Sequence, residues 1–179
     1  NTVELAVMMD VSGACGSQVI YNGSRFSPDP VYQIGMGICA AQLDRNGIKI
    51  IRFPVTIERD IQQFNQLTEK LLSSEHLLAD EVNWVRSQGP WSPDLLRYIH
   101  EHHSSYDSII FFTYLYAPTI FGSRIAPEKS ILISTAHDEP VAHLEIIKKL
   151  YSHISGLLFL TPDEQKFVTK TYAVNKIPA

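Results

Sequence analysis

Cysteine is scarce in this chain. Cys15 and Cys39 are the only two, 24 residues apart and without CxxC spacing. That is neither a disulfide framework nor a zinc pattern, and a reducing cytoplasm is the expected compartment, a membrane surface within it included. Long apolar runs are missing too: none reaches the roughly 18 residues a spanning helix needs. No basic n-region with an apolar h-region opens the sequence, so no secretory leader is expected. Basic charge is thin, with 15 Lys and Arg against 19 Asp and Glu, for a net charge of −4. Without a basic stripe interleaved with aromatics, nucleic acid is not an expected partner. No G-x-S-x-G elbow of a serine hydrolase is present.

What is there is an ordinary globular composition. Of 179 residues, 45% are hydrophobic and 19% charged. A chain of this size buries about 70% of its unfolded surface, and one domain over 1–179 is expected. Five short apolar runs read as strands: Val3 to Met9, Ile48 to Val55, Ser108 to Tyr114, Ser130 to Thr135 and Gly156 to Thr161. Most are continuous rather than alternating, as in parallel strands covered on both faces. Between them lie helical patterns. Ile61, Phe64, Leu67, Leu71 and Leu72 recur at helical spacing. Ser92-Pro93-Asp94 opens a second helix, and Thr161-Pro162-Asp163-Glu164 is a capping box for a last one. Asp138 is expected to cap a helix running through Leu144, Ile147 and Leu150. Residues 10–30 read as a long turn-rich loop, and Val31 to Asn46 as a helix interrupted by Gly35 and Gly37. Strands alternating with helices predict an α/β fold: a Rossmann-like, open, mainly parallel sheet flanked by helices on both faces.

The richest segment is Ser130-Ile-Leu-Ile-Ser-Thr-Ala-His-Asp-Glu-Pro140. A buried strand stops at His137, Asp138 and Glu139. Ligands of open α/β sheets are held at the carboxyl ends of strands. An imidazole there can donate or accept a hydrogen bond. Acids in a helix's first turn stabilise it, so capping is the plainer role for Asp138, while Glu139 stands open between capping and binding. His143 shares a helix face with Glu139, but adjacent residues on a turn seldom converge on one ion, so no metal is expected. A second group leaves another strand: Tyr114, Tyr116 and Thr119, whose hydroxyls and flat rings suit a sugar or equally a packed core. Gly13 and Gly16, in Ser12-Gly-Ala-Cys-Gly16, form a turn that lets backbone approach a ligand, although the segment is not a G-x-G-x-x-G or P-loop pattern. His100, His102 and His103 read as a solvated helix end.

Three stretches together carry a family likeness: Gln88-Gly-Pro-Trp-Ser-Pro-Asp-Leu-Leu96, Tyr106-Asp-Ser-Ile-Ile-Phe-Phe-Thr-Tyr-Leu-Tyr116 and Ile131-Leu-Ile-Ser-Thr-Ala-His-Asp-Glu-Pro140. With Arg52-Phe-Pro-Val55 and Gly156-Leu-Leu-Phe-Leu-Thr-Pro-Asp-Glu164, the chain resembles the N-terminal half of family 4 glycosyltransferases of the two-domain GT-B type. The resemblance implies an acceptor-side domain facing a donor-binding C-terminal domain or separate donor subunit. It implies sugar transfer from a nucleotide-sugar to a saccharide or other hydroxyl acceptor, with retention and with no metal or cofactor. His137 would face the donor sugar, and Gly13 and Gly16 the donor phosphates. Tyr114, Tyr116, Thr119, Asp138 and Glu139 would line the acceptor side. No Glu-x7-Glu pair follows, so this chain alone is expected to transfer sugar negligibly. The alternative expectation is a non-catalytic Rossmann- or flavodoxin-like module for a small ligand or a protein.

Overall fold

The computed structural model describes residues 16–23, 29, 31–57 and 59–174, together with the backbone of 5–7. The chain divides into two compact units, one of residues 1–7 and 53–179 and one of residues 8–52. The larger unit is an α/β fold. Its sheet holds β1 (Leu5–Val7), β4 (Ile109–Phe112), β5 (Ser130–Ile133) and β6 (Gly156–Leu158) in that spatial order. All three pairings are parallel, in register Val7–Phe111, Phe111–Leu132 and Leu132–Leu157. Four of the five expected strands are thus present. The fifth, Ile48 to Val55, is irregular chain with Ile51 and Val55 exposed. Pro54 has no N–H to give a ladder, which weakens a run that reads as strand by hydrophobicity alone.

Helices α2 (Ile61–Ser73), α3 (Leu78–Gln88), α4 (Pro93–His102), α5 (Ala117–Gly122), α6 (Glu145–His153) and α7 (Pro162–Tyr172) complete this unit. Asp60 caps α2, its carboxylate accepting from Gln63 N at 3.0 Å. Ser92 sits at the N-cap of α4 ahead of Pro93, but its hydroxyl makes no cap bond. Alternate strand positions point to opposite faces. On one face Ile109, Phe111, Ser130, Leu132 and Leu157 are buried. Helices α3, α4, α5 and α6 pack on one another on this side. Phe111 and Ile99 meet Gly122 of α5 there, where a Cβ would lie 2.8 Å from the Phe111 ring. On the other face Ile110, Phe112, Ile131 and Ile133 are half-buried and Leu158 is exposed. Among the described residues, then, the helical cover expected on both faces is seen on one.

The smaller unit overturns two sequence expectations. Val19–Tyr21 (β2) and Tyr32–Ile34 (β3) pair antiparallel as a hairpin, inside the stretches read as loop and helix. Only Ile38–Arg45 is helical (α1). Gly35 and Gly37 lie before it, each donating its N–H back to the first arm, to Gln18 O and Gly16 O at 2.8 Å. Arg52 closes the unit by donating to the Ser17 hydroxyl at 2.8 Å and its carbonyl at 3.1 Å.

Among its connections, α6 depends on a distant carboxylate. Glu81 of α3, 3% exposed, accepts from Glu145 N at 3.1 Å and Ile146 N at 2.6 Å. It therefore supplies the acceptors that a helix N-terminus lacks within itself. His76 Nε2 lies 2.9 Å from the same carboxylate. That hydrogen bond, foremost among the causes, raises the His76 pKa.

The packing at Gly122 and the Glu81–His76 contact can each be tested by substitution. Gly122→Ala should cost about 1–3 kcal/mol of stability, because the new methyl meets ring carbon and must displace it; urea denaturation measures it. Glu81→Ala should cost about 2–4 kcal/mol by orphaning two amides and removing the partner of His76. The His76 contribution has a definite sign. A raised folded pKa means its stabilisation is complete below the unfolded value of about 6.5 and fades as pH rises through the folded one. Denaturation midpoints measured across that window should fall for the parent and stay flatter for His76→Ala.

Candidate functional site

The carboxyl ends of β4 and β5 lie side by side, and both strands leave the sheet through a threonine with positive φ. Thr113 has φ 70° and Thr135 has φ 56°. That region is unfavourable for a β-branched residue and persists only where surroundings enforce it. Here each hydroxyl is the other's hydrogen-bond partner. Thr113 N also bonds Ile133 O at 2.9 Å, and Tyr114 N bonds Ser134 O at 3.2 Å. The parallel ladder is thereby carried past the last strand residues.

The segment leaving β5, residues 134–139, is pinned almost residue by residue. The Ser134 hydroxyl bonds the Tyr151 hydroxyl of α6. Ala136 N donates to Glu164 Oε1 at 3.0 Å. The other oxygen of Glu164 accepts from Leu160 N at 2.8 Å, after β6. Glu139 accepts a hydrogen bond from the Tyr114 hydroxyl and sends its own N–H to His137 O at 2.9 Å. Burial, seconded by the Glu139 carboxylate, pushes the Tyr114 pKa far up, so the hydroxyl keeps its proton and stays a donor. Tyr172 of α7 is stacked on Tyr151 with ring centroids 4.1 Å apart, and donates to Ala142 O at 2.6 Å. Only His137 and Asp138 in this segment are exposed.

The expected site residues divide accordingly. His137 stands on the carboxyl rim with its ring exposed. Asp138 does not cap a helix: its carboxylate is 77% exposed and 3.0 Å from His143 Nε2. The expected continuous helix from Asp138 is instead a 3-10 turn, Pro140–His143, followed by α6, whose N-terminus already holds Glu81. A direct passage from strand to helix is ruled out because residues 134–139 intervene as irregular chain. Glu139 is half-buried and engaged by Tyr114. Tyr114 and Thr119 are 1% and 2% exposed, so neither presents its side chain at the surface. Tyr116, half-buried, precedes α5 as its N-cap. Gly16 belongs to the smaller unit, where it accepts from Gly37, and Gly13 lies outside the described residues. His102 Nδ1 bonds Tyr98 O at 2.9 Å at the end of α4, a structural contact. Among the described residues no group of three or more His, Cys, Asp or Glu is placed to hold a metal ion.

Sequence reasoning missed Thr135, Arg59 and the second duty of Glu164. Arg59 lies 4.0 Å above the Phe64 ring and donates to Gln88 Oε1. Burial, foremost among the causes, lowers its pKa, and the Tyr116 hydroxyl opposes that shift. Among the described residues it makes no ion pair. Its isolated position ahead of Asp60 carries no pattern; only the Phe-Pro-Val run before it hints at the segment.

No protein family, curated protein or solved structure matches the chain. The fold establishes an α/β protein with a parallel sheet, and no described helix is long and apolar enough to cross a membrane.

Tyr114→Phe tests the anchoring of this rim. It removes the donor to a carboxylate and should cost about 1.5–3 kcal/mol. Amide exchange at 136–139 should quicken while the amides of β4 and β5 hold. Equal acceleration throughout the sheet would mean the tyrosine matters only for global stability.

Proposed function

We propose that this chain is the acceptor-side half of a retaining glycosyltransferase. It would move a sugar from a nucleotide-sugar to a hydroxyl acceptor once a donor-holding domain or subunit closes over the rim. The observation that supports this most is the segment 134–139: four residues are tied to β4, α6 and α7, and the two left exposed are His137 and Asp138. A reacting group must be held within a fraction of an ångström, and rigid support of an exposed imidazole is what such a role requires. The motif likeness around residues 88–96, 106–116 and 131–140 supports the same reading.

In the reaction, the anomeric C–O bond to the diphosphate breaks, the acceptor oxygen bonds the anomeric carbon on the same face, and the acceptor hydroxyl's proton passes to the departing diphosphate oxygen. Charge grows on the departing diphosphate, and stabilising it is usually a large catalytic contribution. That contribution falls to the donor-holding part. His137 would hydrogen-bond the transferring sugar and fix its orientation. Tyr116, Asp138 and Arg59 would border the acceptor, Arg59 suiting an acceptor that carries negative charge. Tyr114, Thr135, Glu139 and Glu164 act as positioning residues. No metal is required by this scheme.

The test is transfer by the complete catalytic unit carrying this chain. His137→Ala should lower kcat by about 100-fold or more, the scale for losing one well-placed polar contact. His143→Ala, one exposed contact further out, should stay near parent activity. Melting should be unchanged in both, since both rings are exposed. Parent-level turnover by His137→Ala would dismiss the assignment and favour a binding module.

A further inference from the structure

A second cluster lies at the other end of the sheet, where chain enters β5 and β6. Between the start of α3, the connection from α5 to β5, and the last turns of α6 there is a cleft of about 380 Å³. Leu78, Val82 and Pro127 give it apolar walls; Arg124 and Lys149 bring two cations. His153 forms part of the wall. Its Nδ1 lies 2.6 Å from Lys149 O, and a carbonyl can only accept, so Nδ1 carries the proton. Nε2 is then the acceptor for the Ser123 hydroxyl at 3.1 Å. Burial, helped by the neighbouring Arg124 charge, lowers the His153 pKa and keeps the ring uncharged.

Of the carboxylates on the surrounding elements, Glu128 beside Pro127 is exposed and makes no ion pair among the described residues, and the others are engaged elsewhere. Asp80 accepts from Leu77 N and lies 3.8 Å from Lys70. Glu81 holds His76 and the α6 amides. Glu145 lies 3.9 Å from Lys148. Among the described residues neither Arg124 nor Lys149 has an acid within ion-pair distance. Arg124 rests 5.9 Å from the Phe121 ring centroid, and partial burial lowers its pKa. Two unpaired cations over an apolar floor suit one ligand chemistry better than others. A phosphomonoester offers a dianion to a guanidinium fork and an ammonium, and its organic part can cover the aliphatic wall.

We propose that this cleft binds a small organic phosphate, its phosphoryl group on Arg124 and Lys149 and its apolar body against Leu78, Val82 and Pro127. This site is independent of the glycosyltransferase reading: it lies at the amino ends of the strands, whereas His137 stands at the carboxyl ends.

The experiment is an NMR titration of the isotopically labelled chain with phenyl phosphate and, separately, inorganic phosphate. Phenyl phosphate should give saturable shifts confined to 78–82, 123–127 and 149–153. Its affinity should exceed that of inorganic phosphate by about tenfold, from the added apolar contact. The double variant Arg124→Gln, Lys149→Gln should weaken phenyl phosphate by about tenfold or more. Neither side chain makes an ion pair among the described residues, and glutamine keeps most of the aliphatic stem, so its melting curve should stay close to the parent's. Equal affinity for the two probes, shifts scattered over surface lysines, shifts centred on 113–116 and 134–139, or undiminished binding by the double variant would each overturn the proposal.

Discussion

The carboxylate of Glu164 joins three parts of the sheet's carboxyl rim. One oxygen takes the amide of Ala136 beyond β5, the other that of Leu160 beyond β6, and the residue's own N–H bonds Thr161 Oγ1 at 3.1 Å to start α7. Without it the buried Ala136 N–H would be unpaired, at a cost of about 1–3 kcal/mol, and the Leu160 N–H, at an exposed residue, would be left to solvent. Because a single rigid group meets both demands, the two exits are fixed relative to each other. The spacing of everything on the rim follows from that, including the strained φ of Thr135 and the outward turn of His137. A side chain in an unfavourable backbone region needs such over-determination to persist.

This arrangement explains how much of the molecule is legible in the sequence. Ile109 to Phe112, Ser130 to Ile133 and Gly156 to Leu158 are strands because continuous apolar, β-branched and aromatic runs have few other ways to be buried. The Thr161 hydroxyl caps α7 locally by accepting from Glu164 N, so α7 starts where the sequence puts it, although the Glu164 carboxylate leaves the box open and turns to Ala136 and Leu160. What the sequence hides is non-local. Nothing in Glu164 as a helix-cap residue points to Ala136, 28 positions earlier. Nothing in Glu81 marks it as the cap of α6, so an acid shortly before that helix in sequence, Asp138, is the natural but mistaken choice. The helix Leu78–Gln88 itself lacks a clean apolar stripe, because its inward face includes Glu81 beside Trp84 and Val85.

The smaller unit was misread for a related reason. Val19-Ile-Tyr21 and Val31-Tyr-Gln-Ile34 are short, and turn residues dominate the span between them. Composition therefore outweighs the period-two signal of two three-residue arms. The hairpin's stability draws on cross-strand contacts such as Tyr21 with Tyr32, ring centroids 5.1 Å apart, which no single arm displays. For the candidate site, the rim and His137 were readable from a strand ending in polar residues. The division of labour was not: Tyr114 and Glu139 look like ligand groups in a list of residues, and only their mutual hydrogen bond shows them holding the segment in place.

The same logic accounts for the distribution of charge. The chain carries more acids than bases, yet Arg59, Arg124 and Lys149 have no acidic partner within ion-pair distance among the described residues. Several carboxylates are committed to backbone amides: Glu81 to α6, Glu164 to two strand exits, Asp60 to α2 and Asp80 to Leu77. A carboxylate that accepts from N–H groups satisfies them better than water can once the helix end is buried, and its position is then set by those amides rather than by a distant surface cation. Internal capping by acids thus leaves positive side chains unneutralised at both ends of the sheet. Those ends are where an α/β fold exposes its loops, so the net negative charge of the molecule coexists with local positive groups, Arg59 over the Phe64 ring and Arg124 with Lys149 around the His153 cleft. The anion binding proposed for this chain would come from how the fold assigns its carboxylates, and a count of charges along the chain would point the other way.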